Sequence, residues 1–246
     1  MPEKPYYLAY ENRYKKVYDA GVERWGHSPD DENIKGTIKK WIGDNRLHGR
    51  RIIEFACGEG ACGIILSELG CIYHGVDISP TVVEKARKAV SSYPNAKVSL
   101  LDMVNGQIPG IYDAAIDIMG LHMLILNKDR ERYLKNVIDC LISGAPVLFC
   151  HESYRADADT SQTEIESIEQ WVEITGDDYQ TPKLFEVYQN DKVLEVNIPL
   201  LPARAKNREG YINEFTAAGF VVDDFIEMEK NENIIYSASI FAHKPK

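Results

Sequence analysis

From residue 51 onward, short apolar runs alternate with longer stretches whose apolar residues recur every three or four positions. "RIIEFA" (51–56), "CIYHGVD" (71–77), "KVSLLD" (97–102), "YDAAIDI" (112–118) and "APVLFC" (145–150) read as buried strands. Between them the spacing predicts helices. One covers residues 60–69. A second starts at Ser79, a cap followed by Pro80, and carries Val82, Val83, Ala86, Ala89 and Val90. A third, over 128–143, puts Tyr133, Leu134, Val137, Ile138, Leu141 and Ile142 on one face, with Gly144 just beyond its end. Strands alternating with helices predict a parallel sheet covered on both faces, and right-handed crossovers make it doubly wound.

The two ends depart from this rhythm. Tyr7, Tyr10, Tyr14 and Tyr18 mark one helical face, expected to pack as a stripe. Ser28 or Asp30 would cap a helix over 31–43 carrying Ile34, Ile38, Trp41 and Ile42. Residues 155–200 are acidic at first, with a helix expected around 163–174 and a hairpin turning at Asn190-Asp191. A helix over 205–218 ends at Gly219. "FVVDDFIEM" and "IIYSASIFAH" then form two strands joined by "EKNEN", too close to be anything but antiparallel. The expected architecture is α/β: a Rossmann-like, doubly wound seven-stranded sheet, parallel except for a C-terminal antiparallel hairpin strand. The expected division is an N-terminal arm or lid (1–45), a core domain (46–154 and 203–246) and an insert over the substrate side (155–202).

Composition narrows the function. The chain has 246 residues, 44% hydrophobic and 27% charged, as a soluble globular protein would. Its formal net charge of −10 argues against broad binding to nucleic-acid phosphates. No apolar run is long enough to span a bilayer, and residues 1–16 lack an apolar signal core, so a cytoplasmic location is expected. The five cysteines (Cys57, Cys62, Cys71, Cys140 and Cys150) are scattered and form no C-x-x-C pair, which suits buried reduced thiols.

The chemistry gathers at strand ends. "IIEFACGEGACG" (52–63) sets Gly58, Gly60 and Gly63 in a G-x-G-x-x-G pattern, and Asp77 closes the next strand. This pair of features fits a nicotinamide dinucleotide or another adenosine cofactor equally well. Glu54 discriminates: a carboxylate beside a pyrophosphate costs on the order of 1–4 kcal/mol. The same carboxylate suits the ammonium and sulfonium of S-adenosylmethionine.

In their order, "EFACGEG", "GVDISP", "LLDM" and "YDAAIDIMGLHML" resemble the class I S-adenosylmethionine-dependent methyltransferases, over about residues 50–150 and again in the terminal helix and hairpin. The resemblance is nearest to the small-molecule branch with a generic methyltransferase domain. It implies S-adenosyl-L-methionine as cofactor. Phe55, Ala56, Cys57, Gly58 and Gly60 would pass beneath the methionine portion, with Glu54 heading the motif. It gives Asp77 the ribose, Ile78 and Met103 the adenine faces, and Asp102 the adenine amino group. Met119 and Gly120 would meet the amino-acid end. His122 is a candidate general base; His151, Glu152 and Tyr154, after the fifth strand, would face the substrate. Tyr14, Trp25 and His27 would belong to a lid. The expected function is in-line methyl transfer to a small molecule, by a monomer or homodimer with no metal, nucleic-acid or membrane partner. The alternatives are a catalytically inactive cofactor-binding regulatory module and an NAD-dependent oxidoreductase. The acidic insert weakly favours a neutral or cationic substrate.

Overall fold

The computed structural model describes residues 5–158, 163–176, 181–190, 192–199, 201–228 and 236–246. Its main sheet has seven strands: β1 (Arg51–Phe55), β2 (Ile72–Asp77), β3 (Ala96–Leu100), β4 (Ala114–Ile118), β5 (Pro146–Ser153), β8 (Val221–Met228) and β9 (Ser237–His243). Their order is β3-β2-β1-β4-β5-β9-β8. The first five are parallel, and β9 runs antiparallel between β5 and β8. Strand order therefore reverses between β1 and β4. A crevice beyond the carboxyl ends of two such strands is where open α/β sheets bind ligands.

The pleat of β1 sends consecutive residues to opposite layers. Ile53 and Phe55 join Tyr133, Leu134 and Val137 of helix α5 (Asn127–Asp139) and Tyr211 and Phe215 of α7 (Arg208–Ala217). Ile52 joins the other layer, built from α2 (Glu32–Asp44), α3 (Ala61–Glu68) and α4 (Pro80–Ala89). The four apolar residues expected on α2, Ile34, Ile38, Trp41 and Ile42, are all buried there. Ser79 caps α4 as expected, accepting from the Val82 N–H at 3.2 Å, with Pro80 in the first turn.

Several boundaries move, each for a tertiary reason. Asp31, not Ser28 or Asp30, caps α2, accepting from the Asn33 and Ile34 N–H groups. Helix α5 stops at Asp139 because the chain beyond it turns to pair with Tyr112: the Tyr112 N–H bonds the Cys140 carbonyl, and the Ile142 N–H bonds the Tyr112 carbonyl. Strand β5 continues through Ser153, since β9 supplies partners as far as Ser237. His151 and Glu152 thus lie within the strand, at a bulge, and not in a loop after it. The hairpin of the insert forms as β6 (Pro182–Gln189) and β7 (Lys192–Pro199); Asn190 turns with φ +51°. Asp191 and the "EKNEN" turn lie outside the described residues. The insert's helix is α6 (Ile168–Thr175).

Helix α1 (Ala9–Asp19) packs on the β6–β7 hairpin, not on the sheet. Val17 and Val22 share a small apolar cluster with Val196 and Ile198. No described helix is long and apolar enough to cross a membrane.

Candidate functional site

A cavity of about 990 Å³ opens at the carboxyl ends of the strands. The loops after β1, β2, β3 and β4 form its floor, and the N-terminal arm and the insert form its roof. Three adjacent strands carry non-glycine residues in the left-handed region at this edge: Ala56 (φ +52°) after β1, Met119 (φ +60°) after β4 and His151 (φ +58°) at the β5 bulge. Such residues carry strain that only a well-determined surrounding structure sustains. Gly120 shows how tight this edge is. A Cβ there would lie 2.4 Å from Asp117 Oδ1 and 2.8 Å from Ala56 Cβ.

Tyr14, Trp25, Ala56, Cys57, Gly58, Asp77, Ile78, Asp102, Met103, Met119 and Gly120 all line the cavity. Asp77 accepts from the N–H groups of Gly58 (3.0 Å) and Ser79 (2.9 Å), which ties the end of β2 to the glycine loop. Burial raises its carboxyl to about 6, against the lowering effect of those bonds. Asp102 accepts from the Val104 and Asn105 N–H groups at 2.9 and 3.0 Å.

Three of the residues expected at the cofactor, Glu54, Phe55 and Gly60, do not line the cavity. Glu54 follows the pleat into the α3 layer, where it is 1% exposed and accepts from the Tyr73 hydroxyl at 2.5 Å. Burial raises its pKa to about 8, so at neutral pH it is predominantly a neutral acid. The charge argument drawn from Glu54 therefore fails. Phe55 points the other way and packs edge-on against Tyr133, with ring centroids 5.4 Å apart. Gly60 starts α3 at φ +82°, and a Cβ there would stand 3.1 Å from the Ala86 Cα. Its role is close packing of loop against helix.

The acidity expected of Glu54 sits one turn away. Glu59, between the two glycines, lines the cavity and accepts from the Trp25 and Gly26 N–H groups, the Tyr18 hydroxyl and the Lys85 ammonium. With Asp77 and Asp102 it makes the loop end of the cavity acidic. The nearest cation there, Lys85, is already paired at 2.7 Å.

His122 lines the cavity from a short 3-10 turn (Leu121–Met123) after β4. Its Nδ1 lies 2.9 Å from Glu152 Oε2, and its own N–H donates to the same oxygen at 2.7 Å. Glu152 is fully buried behind it and does not reach the cavity. The β5 bulge re-aims the side chains here, sending Glu152 to His122 and His151 to the cavity. Glu152 thus supports the His122 turn from within the fold and does not face the cavity, where its place in "CHESY" had put it. Arg130 holds the same turn through the carbonyls of Leu121 and Leu124 at 2.8 and 2.9 Å. Burial lowers the pKa of His151, and its Nδ1 lies 3.0 Å from Ser237 Oγ.

The tyrosine stripe packs, and it also borders the cavity. Tyr7 is buried in the main core with Tyr10 against it, and Tyr14 stacks on Tyr18. Tyr7, Tyr10 and Tyr14 line the cavity as well, and Arg13 with them. Tyr236 and Ser237 join from β9 and its approach, where no local signal announced them.

Residues 53–147 match a family described as "Methyltransferase domain". The chain is 32% identical over 113 residues to the aklanonic acid methyltransferase DauC of Streptomyces sp. (strain C5), a match covering 44% of this chain and 50% of that protein. The match thus spans about half the length of that curated relative. Among solved structures, an S-adenosylmethionine-dependent methyltransferase from Clostridium acetobutylicum ATCC 824 superposes with a TM-score of 0.65 at 15% identity, covering 96% of this chain and 99% of that one. The 1,6-didemethyltoxoflavin-N1-methyltransferase of Burkholderia thailandensis superposes with a TM-score of 0.66 at 13% identity, covering 100% and 93%. Domain match and fold agree: residues 53–147 match a methyltransferase domain, and the seven-stranded sheet has the fold of the S-adenosylmethionine-dependent methyltransferase structures it superposes on.

Proposed function

We propose that the chain transfers a methyl group from S-adenosylmethionine to a small molecule in the cavity above the switch point. The observation that carries this reading is the convergence of Gly58, Asp77, Asp102 and Met119-Gly120 on one cavity whose loop end carries the carboxylates of Glu59, Asp77 and Asp102. That end suits a cofactor with an ammonium and a sulfonium and disfavours a pyrophosphate. Two structural relatives, the magnesium protoporphyrin IX methyltransferase of Synechocystis PCC 6803 and the Burkholderia enzyme, are described with bound S-adenosylmethionine and S-adenosylhomocysteine respectively.

Asp77 would accept from ribose hydroxyls with the lone pairs its backbone donors leave free. Asp102 would accept from the adenine amine, with Ile78 and Met103 beside the ring. The backbone of Ala56–Gly58 would hold the methionine portion, and the main-chain groups of Met119 and Gly120 its amino-acid end. The bound cofactor supplies an electrophilic methyl carbon on sulfur. The protein's part is alignment and exclusion of water; good alignment alone is worth about 7–11 kcal/mol.

His122 takes the acceptor's proton when the acceptor arrives protonated. With Nδ1–H donated to Glu152, Nε2 remains as the acceptor nitrogen. Calorimetric titration with S-adenosylhomocysteine, and with NAD in parallel, tests the cofactor assignment. Binding of the first alone is expected; binding of NAD alone overturns it. Release of S-adenosylhomocysteine on a small-molecule panel tests turnover. Binding without turnover across a broad panel would favour a regulatory module.

A further inference from the structure

The polar groups that line the cavity differ in whether they have partners. The carboxylates that line the cavity already have donors: Asp31 caps α2, Glu59 accepts four groups, and Asp77 and Asp102 accept backbone N–H groups. The buried polar atoms without a partner among the described residues include three nitrogens of cavity-lining side chains: Arg13 Nε, His27 Nε2 and His151 Nε2. Burying polar groups without partners is costly, so a cluster of them around one space points to what fills it.

Arg13 is the distinctive member. Its guanidinium lies 5.1 Å from the Trp25 ring centroid and 5.7 Å from that of Phe185, on the insert's hairpin. Among the described residues no carboxylate stands within ion-pair distance of it. A half-buried guanidinium braced by two rings is fixed in place, yet its charge has no counter-charge. His27 and His151 are near enough to influence each other electrostatically, and burial keeps both largely neutral at neutral pH. Each therefore offers its unpartnered nitrogen as a neutral donor or acceptor. The rings of Tyr10, Trp25 and Tyr154 supply flat apolar surface around them.

We infer that the methyl acceptor is an aromatic or similarly planar molecule carrying an anionic oxygen group, a carboxylate or phenolate, and that Arg13 binds this group while His27 and His151 contact its neighbouring oxygens. This rests on the methyltransferase reading above and names the substrate class of that same cavity. It also replaces the expectation, drawn from the acidic insert, of a neutral or cationic substrate: Arg13 on α1 and Phe185 of the insert line up a cation, not an acid.

The test is calorimetric titration of the full chain with 2-naphthoate and with 2-naphthamide, which share a ring system and differ in charge. Both are run with and without saturating S-adenosylhomocysteine. The acid should bind about tenfold more tightly than the amide, as a charge-assisted guanidinium–carboxylate pair would give. R13Q should abolish that preference, R13K should retain part of it, and neither should change S-adenosylhomocysteine affinity. Thermal melts of the variants control for folding. Equal binding of acid and amide, or binding of neither, overturns the inference, as does a preference that survives R13Q. Loss of S-adenosylhomocysteine affinity in R13Q also overturns it, because Arg13 would then hold the cofactor's own carboxylate. Failure of the wild-type chain to bind S-adenosylhomocysteine would sink the cofactor assignment instead; the titrations without it still read the acid preference.

Discussion

At Glu54, burial outweighs the hydrogen bond from Tyr73 and raises the pKa from 4.5 to about 8. The unfolded chain releases this proton near pH 4.5 and the folded chain holds it until about pH 8. Between those values the folded state binds more protons, so stability falls as pH rises. E54Q keeps an acceptor for Tyr73 and removes the titration. It should flatten the decline in denaturant stability between pH 5 and pH 8, an effect of a few kcal/mol at roughly 1.4 kcal/mol per pKa unit. An unchanged slope would show that Glu54 is ionised in the fold. At His122, E152Q should lower kcat about tenfold or more on a protonated acceptor, with S-adenosylhomocysteine affinity preserved, because an amide no longer enforces the Nε2-acceptor tautomer. Equal kcat in E152Q and wild type would leave Glu152 a purely structural group.

The N-terminal arm is fastened to each loop it crosses. Tyr6 Oη accepts from the Ile125 N–H at 2.7 Å, beyond β4, and Tyr7 reaches Asp102, beyond β3, at 3.4 Å. Glu11 accepts from Ser79 and Thr81 after β2, and Glu59 after β1 takes the backbone of Trp25 and Gly26. Burial disfavours the Glu11 carboxylate, but the bonds from Ser79, Thr81 and Lys15 outweigh this and bring its pKa down to about 2. E11A should therefore destabilise the fold by about 1–2 kcal/mol, measured by thermal denaturation, as loss of a supported helix start does. E59Q weakens the clasp between arm and glycine loop. It should speed S-adenosylhomocysteine dissociation several-fold in stopped-flow traces, while an unchanged rate would show that the arm does not cover the cofactor.

Across the whole molecule the cavity joins the arm, the loops after β1 to β4, the end of β5 and the start of β9, so a ligand within it braces segments far apart in sequence. S-adenosylhomocysteine at a hundred times its Kd should raise unfolding stability by about 2.7 kcal/mol if it binds only the folded chain. The same concentration of NAD should leave the melting temperature unchanged. The β6–β7 hairpin meets the rest of the chain through α1, Trp25 and the bonds between Gln189 and the backbone of Gly21 and Glu23. Arm and hairpin are thus joined to each other.

The sequence by itself determined the succession of strands and helices along the chain and the strand ends on which Gly58, Asp77, Asp102 and His122 stand. These follow from local periodicity and from motif spacing, which act along the chain. Tertiary structure alone decided which way a side chain faces at a strand end, and hence its charge. Glu54 became a buried acid because the pleat turns it under α3, and Glu59 took its place at the cavity. A single bulge in β5 separated the roles of His151 and Glu152. Arg13 became a cavity cation only when the hairpin, some 170 residues away, set Phe185 against it. Such outcomes depend on contacts between distant segments, whose energies no local pattern encodes.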